Sequence, residues 1–258
     1  MSSEQNAFYA VESCMSKLIL LRHGQSEWNL ENRFTGWTDV GLSDAGMAEA
    51  ENAGRILSRE GLRPAVAFTS VLRRAVETWN IVSRVSGRMW VPLEKSWRLN
   101  ERHYGALQGL DKAETVAKHG EEQVRIWRRS YAARPPLLRS DDPRNPRFEE
   151  KYAGIDCRAL PLGESLQDAV ARVLPFWFDR IAPALAGGAD AIVSAHGNSL
   201  RGLVKFLDGM GDDEIAGFEI PTGVPILYEF DSSLEPAGRG RRASDCGGGA
   251  GFRGILLS

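Results

Sequence analysis

The 258-residue sequence predicts an α/β fold, a mostly parallel central sheet with helices on both faces and an active site at strand ends. Two observations carry this expectation. Short apolar runs suited to buried strands alternate with stretches of helical spacing, as in a parallel sheet built from crossovers. Two of those runs, Leu18–Leu21 and Ala191–Ala195, lead into His-Gly, the first through Arg22 into His23-Gly24 and the second into His196-Gly197. Ligands of open α/β sheets bind beyond the carboxyl ends of strands, where both imidazoles fall.

Residues 1–16 show no amphipathic period and read as a flexible appendage, with Met15-Ser16-Lys17 placed like an alternative start. The strand candidates are Leu18–Leu21, Val66–Thr69, Ala191–Ala195 and Val224–Phe230. Helical spacing covers Ser43–Glu60, Val71–Val85, Asp111–Tyr131 and Glu164–Leu185. The stretch Arg134–Leu162 is rich in Pro, Arg and Asp and reads as a long surface excursion, a type of segment that often serves as a lid. Beyond residue 231 the composition changes. Seven of the 27 glycines lie between Gly238 and Gly254, together with four arginines, and a flexible tail over 232–258 is expected. The reading is one catalytic domain, 17–231, between two appendages.

Lys+Arg number 32 and Asp+Glu 34, so the net charge of -2 offers no basic field for nucleic acid or an anionic membrane. No segment approaches the ~18 apolar residues of a membrane-spanning helix, and no signal peptide is visible. The three cysteines, Cys14, Cys157 and Cys246, are far apart and form no CxxC pair, which points to a reducing, cytoplasmic compartment. No histidine has metal-ligand spacing such as HExxH, so no metal is expected. Gly249-Ala-Gly251-Phe-Arg-Gly254 spells GxGxxG, but only four residues follow it where a nucleotide-binding loop needs a helix.

The two strand-end sites suggest phosphoryl transfer to a histidine. Arg22 sets a guanidinium, a good match to phosphate oxygens, beside His23. Backbone N–H groups at the start of the helix after Asn198 favour an anion. A neutral imidazole is a competent nucleophile near neutral pH. A lone strand-end histidine can equally be structural, bonding a backbone carbonyl; two such sites with an adjacent arginine favour the chemical reading.

Arg22-His23-Gly24 and His196-Gly197-Asn198 resemble the two signatures of the histidine phosphatase superfamily. Three longer segments, 21–46, 94–115 and 196–230, are similar to the 2,3-bisphosphoglycerate-dependent phosphoglycerate mutases, and the match runs from about Lys17 to Phe230. The resemblance implies interconversion of 3-phosphoglycerate and 2-phosphoglycerate in glycolysis and gluconeogenesis, through a phosphohistidine primed by 2,3-bisphosphoglycerate and without metal. Carried over by motif, His23 is the nucleophile, His196 stabilises the transferring group, and Glu101 is the general acid/base. Arg22, Arg74, Asn29 and the Gly197-Asn198 backbone hold the transferred phosphoryl group. Thr35, Gly36, Arg102, Tyr104, Lys112, Arg128 and Arg129 bind the rest of the substrate, with the insertion 102–162 forming part of the pocket. On spacing alone, Glu101 reads as a surface partner of Arg102 or Arg98, and Arg128-Arg129 as a solvated helix face. Relatives are commonly dimers or tetramers, so a homo-oligomer is expected.

Two departures stand out. Gln25 replaces the Glu that many relatives carry, and the segment after Phe230 lacks the family's usual tail. The alternatives are a phosphatase acting on a small phosphorylated metabolite, a bisphosphoglycerate synthase, and a silent binding module. Against the synthase, Gly36 stands where dedicated synthases usually carry a bulkier residue. Against the silent module, His23, Glu101 and His196 are all present.

Overall fold

The computed structural model describes residues 16–237 and 252–258; residues 1–15 of the expected appendage and 238–251 of the expected tail lie outside them. Cys14, Cys246 and the first half of the GxGxxG run, 249–251, fall in those stretches. The strands are β1 (Ser16–Arg22), β2 (Val66–Thr69), β3 (Leu93–Lys95), β4 (Ala191–Ala195), β5 (Pro225–Phe230) and β6 (Ile255–Leu256). They form one sheet in the order β3-β2-β4-β1-β5-β6. Strands β3, β2, β4 and β1 pair in parallel. Strand β5 is antiparallel to β1 and β6 to β5, so β5 runs against the other five.

Alternation along β1 explains the two covered faces. Leu18 and Leu20 pack with Leu166, Val170, Val173, Leu200 and Leu203 on one side. Ile19 and Leu21 pack with Ala50, Ala53, Leu57, Trp79 and Val82 on the other. All four β1 residues are fully buried, which is why the strand reads as a continuous apolar run.

The helices follow their capping signals. A single turn, α1 (Glu27–Leu30), is capped by Ser26, whose own N–H bonds the Asn29 side chain. Helix α2 (Asp44–Arg59) starts where the Ser43 side chain accepts from the Gly46 N–H. Helix α3 (Arg73–Val85) packs against α2. The helical pattern over 111–131 is two helices, α4 (Lys112–His119) and α5 (Glu121–Arg129), because Gly120 at φ +83° breaks the run. The pattern over 164–185 is also divided, into α6 (Leu166–Phe176) and α7 (Ala182–Ala186). A π-helical segment, Trp177–Ile181, joins them just after Pro175, which cannot donate to the helix ladder. Helices α8 (Gly197–Asp208) and α9 (Asp212–Gly217) complete the set.

Two further features differ from expectation. The excursion over 134–162 is fastened down: Tyr152 is buried, its ring lies 5.1 Å from that of Trp37, and its hydroxyl accepts from Asn100 Nδ2 at 2.9 Å. The end of the tail, expected to be flexible, adds a strand to the sheet. Phe252 is buried against Phe218 and Tyr228, and Leu256 pairs with Ile226. The apolar run after Gly254 (255–257) supplies the burial that the glycine and arginine composition obscured. Strand β3 escapes sequence reading because it has three residues, none of them buried.

One close approach fixes the chain just after β1. A methyl group at Gly24 would lie 2.1 Å from the Gly46 carbonyl oxygen, inside the first turn of α2. Gly24→Ala must therefore push the two segments apart. The expected cost is about 1–3 kcal/mol, as for overpacking generally, and thermal unfolding checks it; a variant as stable as the parent would show that this contact yields freely.

Candidate active site

Adjacent parallel strands set the site. In register, Thr69 faces Ser194 and Arg22 faces Ala195, so the next residues, Ser70, His196 and His23, form a row along one edge of the sheet. The His23 N–H donates to the Ala195 carbonyl at 2.9 Å, and the two imidazole centroids lie 4.9 Å apart. His23 Nδ1 lies 2.6 Å from the Gly24 carbonyl oxygen, which can only accept, so Nδ1 carries the proton and Nε2 the lone pair. Arg74 Nε donates to that Nε2 at 3.3 Å. His196 Nε2 lies 2.7 Å from Ser70 Oγ, while its Nδ1 is buried without a protein partner.

Burial, with Arg74 and Arg22 nearby, holds the His23 imidazole well below the ordinary histidine range, although the Gly24 carbonyl works the other way. Burial does the same to His196, reinforced by Arg74, His23, Arg172 and Arg22. His103, buried beside Arg172, is depressed to about 3. All three are neutral near pH 7.

A histidine whose folded value lies below its unfolded one contributes stability that is complete above about pH 6.5 and lost as the unfolded chain takes up protons below it. The limiting slope is about 1.4 kcal/mol per pH unit for each such histidine. Asp208, raised to about 6 by burial, opposes them as a single group. Stability, followed by denaturant unfolding, is therefore expected to fall between pH 6.5 and 5. A flat profile across that window would contradict the buried, neutral state of these rings.

The row opens into a cavity of about 230 Å³. Its lining includes Arg22, Arg33, Arg74, Lys112, Arg128, Arg129 and Arg201 as cations, against two carboxylates, Glu101 and Glu219. Such an excess of fixed positive charge suits a multiply charged anion. Burial, together with Arg128 nearby, lowers the Lys112 ammonium, and burial brings the Arg74 guanidinium down to about 10, where it still carries its proton at neutral pH. Arg74 is oriented by the carbonyls of Thr38 at 3.0 Å and Gly36 at 2.8 Å. Gly36 has φ +55°, and a methyl group there would lie 2.2 Å from Gln108 Oε1, which accounts for glycine at this wall.

Helix α8 begins at the second histidine. The Asn198 N–H in its first turn donates to Glu101 Oε1 at 3.2 Å, and the Arg102 N–H donates to the same oxygen at 2.7 Å. Glu101 thus sits where a helix start favours negative charge. Tyr104 lies between Asn198, whose Nδ2 is 3.4 Å from its hydroxyl, and the Arg102 guanidinium, 4.5 Å from its ring centroid. Burial acts to raise the Tyr104 phenol, but Arg102 and the hydrogen bond from Asn198 together bring the net displacement downward.

Of the residues expected from sequence, His23, Glu101, Arg22, Arg74, Asn29, Thr35, Gly36, Tyr104, Lys112, Arg128, Arg129, Gly197 and Asn198 line this one cavity. His196 lies directly behind His23 in the strand-end row. Arg102, expected as a substrate cation, does not line the cavity. It is fully buried, with Nη1 and Nη2 spent on the carbonyls of Trp127 and Arg128, so it anchors the end of α5 and backs Tyr104. The sequence reading missed Ser70, Arg33, Arg201, Phe218 and Glu219. Ser70 follows the strand Val66–Thr69 and is open to the same strand-end argument as the histidines. Arg201 sits three residues after Asn198 on α8 and donates to its Oδ1 at 3.0 Å, a helical spacing open to sequence reasoning. Nothing local marks Arg33, Phe218 or Glu219.

A strand-end histidine with an unprotonated Nε2 inside an arginine-rich cavity defines a phosphoryl-transfer site of the phosphohistidine class. The profile of the Histidine phosphatase superfamily (branch 1) matches residues 18–145. The 2,3-bisphosphoglycerate-dependent phosphoglycerate mutase of Nitratidesulfovibrio vulgaris Hildenborough is 58% identical over 222 residues, covering 86% of this chain and 89% of that protein. Among solved structures, a mycobacterial glucosyl-3-phosphoglycerate phosphatase shares the fold at TM-score 0.64 and 24% identity, over 83% of this chain and 92% of its own. A protein described as mycobacterial hydrolase 1 does so at TM-score 0.65 and 23% identity, over 86% and 95%. The chain belongs to the 2,3-bisphosphoglycerate-dependent phosphoglycerate mutase family of the histidine phosphatase superfamily.

No helix of the described residues is long and apolar enough to cross a membrane. Among the same residues, no group of three or more His, Cys, Asp or Glu side chains is placed to hold a metal ion.

Proposed function

We propose that the chain interconverts 3-phosphoglycerate and 2-phosphoglycerate through a phosphorylated His23. The observation that carries this reading is the His23 ring itself: neutral, with Nδ1 tied to the Gly24 carbonyl and Nε2 presented beside Arg74. 2,3-Bisphosphoglycerate supplies the phosphoryl group that primes the enzyme. The lining fits such a ligand, since Thr35 Oγ1 and the Nε atoms of Arg22 and Arg201 are buried there without protein partners.

His23 Nε2 attacks phosphorus, and an N–P bond forms as the P–O bond to the three-carbon acid breaks. Glu101, protonated for this step, gives its proton to the departing alkoxide. In the return step the Glu101 carboxylate takes a proton from the acceptor hydroxyl as oxygen attacks and the N–P bond breaks. Arg22, Arg74, Asn29 and the α8 start hold the transferring group, with His196 Nδ1 as a further donor to it. Lys112, Arg128 and Arg129 hold the other charged groups of the acid, and Thr35, Gly36 and Tyr104 shape the wall. Transfer between the two hydroxyls follows when the acid is held in either of two orientations. The same reading makes the enzyme metal-independent, cytoplasmic and homo-oligomeric, a dimer or tetramer.

The test is conversion of 3-phosphoglycerate to 2-phosphoglycerate in EDTA, with and without a trace of 2,3-bisphosphoglycerate. Turnover that resists EDTA and rises with the bisphosphate is expected. Release of inorganic phosphate without isomerisation, or no reaction, would overturn the reading.

A further inference from the structure

Arg129 and Glu219 both line the cavity and form an ion pair across it, from the end of α5 to the segment after α9. That segment is firmly held. Phe218 is buried with its ring 5.1 Å from that of Phe252, and the Ile220 carbonyl accepts from Arg22 Nη1 at 2.7 Å. Glu219 is thus presented at a fixed place on the wall. The two lining carboxylates differ in their partners. Glu101 is held by backbone N–H groups, whereas Glu219 is held by a guanidinium. The Arg129 guanidinium beside it holds the Glu219 carboxyl below the usual range against the effect of burial, so it is ionised at neutral pH.

We propose that Glu219 is an affinity-determining residue, an internal carboxylate that competes with phosphorylated acids for Arg129. This rests on the assignment of Arg129 as a substrate cation made above. An arriving anion meets a guanidinium whose charge is already balanced. Binding must either displace the carboxylate or place two anionic groups around one cation, and each course weakens the complex. The pair is partly solvated, with side-chain exposures of 38% for Arg129 and 59% for Glu219, so the competition is modest and sensitive to salt.

The decisive measurement is the dissociation constant of 3-phosphoglycerate for the full chain, by titration calorimetry without added bisphosphate, for the parent, Glu219→Gln, Arg129→Gln and the double variant. Glu219→Gln keeps the shape and removes the charge. It is expected to tighten binding roughly two- to fivefold, the scale of an exposed ion pair. The gain should shrink at high salt and vanish in the Arg129→Gln background, since the two effects act through one contact. A residue serving only to support the wall would weaken binding when replaced, opposite in sign. Unchanged or weaker binding in Glu219→Gln, or a gain that persists without Arg129, would overturn the proposal. Isomerisation assayed in parallel judges the mutase reading separately: an active parent with no gain in Glu219→Gln condemns the competition alone.

Discussion

Replacing His23 with alanine is expected to abolish isomerisation. The reacting bond forms at its Nε2, and no other nucleophile occupies that place in the strand-end row, where the neighbours are His196 and Ser70. His196 is a poor substitute because its Nε2 is already engaged with Ser70 at 2.7 Å. The loss should be on the order of 10⁴–10⁶-fold, the usual worth of a catalytic nucleophile. Incubation with labelled 2,3-bisphosphoglycerate supplies the second readout. The parent should acquire acid-labile phosphate and the variant none. Substantial turnover, or labelling that survives in the variant, would remove His23 from the mechanism. His23 is buried, so thermal unfolding must accompany the assay; a folded variant without activity is the informative outcome.

Glu101→Gln is expected to lower the mutase rate by about 10²–10⁴-fold, the range for loss of a general acid/base. Glutamine keeps an oxygen able to accept from the Arg102 and Asn198 N–H groups, so the start of α8 should stay in place. What disappears is the proton that the alkoxide needs on leaving and that the hydroxyl gives up on attack. An aryl phosphate separates chemistry from position, because its leaving group departs without a proton. Hydrolysis of p-nitrophenyl phosphate by the variant should therefore fall far less than isomerisation. Equal losses on the two substrates would mean that Glu101 serves to position the site, and full mutase activity would mean that the proton travels by another route.

Much of the site could be read from sequence because its chemistry is concentrated at strand ends. Leu18–Leu21 and Ala191–Ala195 are apolar enough to be buried on both faces, and the His-Gly pairs that follow must emerge at the same edge of a parallel sheet. The arginines within the insertion were legible only through the family resemblance, since spacing alone describes Arg128-Arg129 equally well as a solvated helix face. Arg102 shows the limit of that route. Its motif marks it as important, yet its Nη1 and Nη2 are spent on two backbone carbonyls and its guanidinium lies over the Tyr104 ring. Residue type does not reveal whether a cation meets ligand or protein.

The division has a physical basis. The sequence by itself determined the α/β class, the identities and strand-end positions of the two histidines, and the locations of most strands and helices, because burial periodicity and capping are local properties. Composition misled at the tail, where Phe252 and the strand at Ile255–Leu256 pack on the sheet although glycine and arginine dominate the approach to them. Tertiary structure alone decided the order β2-β4-β1 that puts Ser70, His196 and His23 in one row. It alone decided the tautomer of His23, the neutrality of three buried imidazoles and the pairing of Glu219 with Arg129 across 90 residues of sequence. Those features depend on distance and on exclusion of water, and both arise only when segments far apart in the chain are packed together.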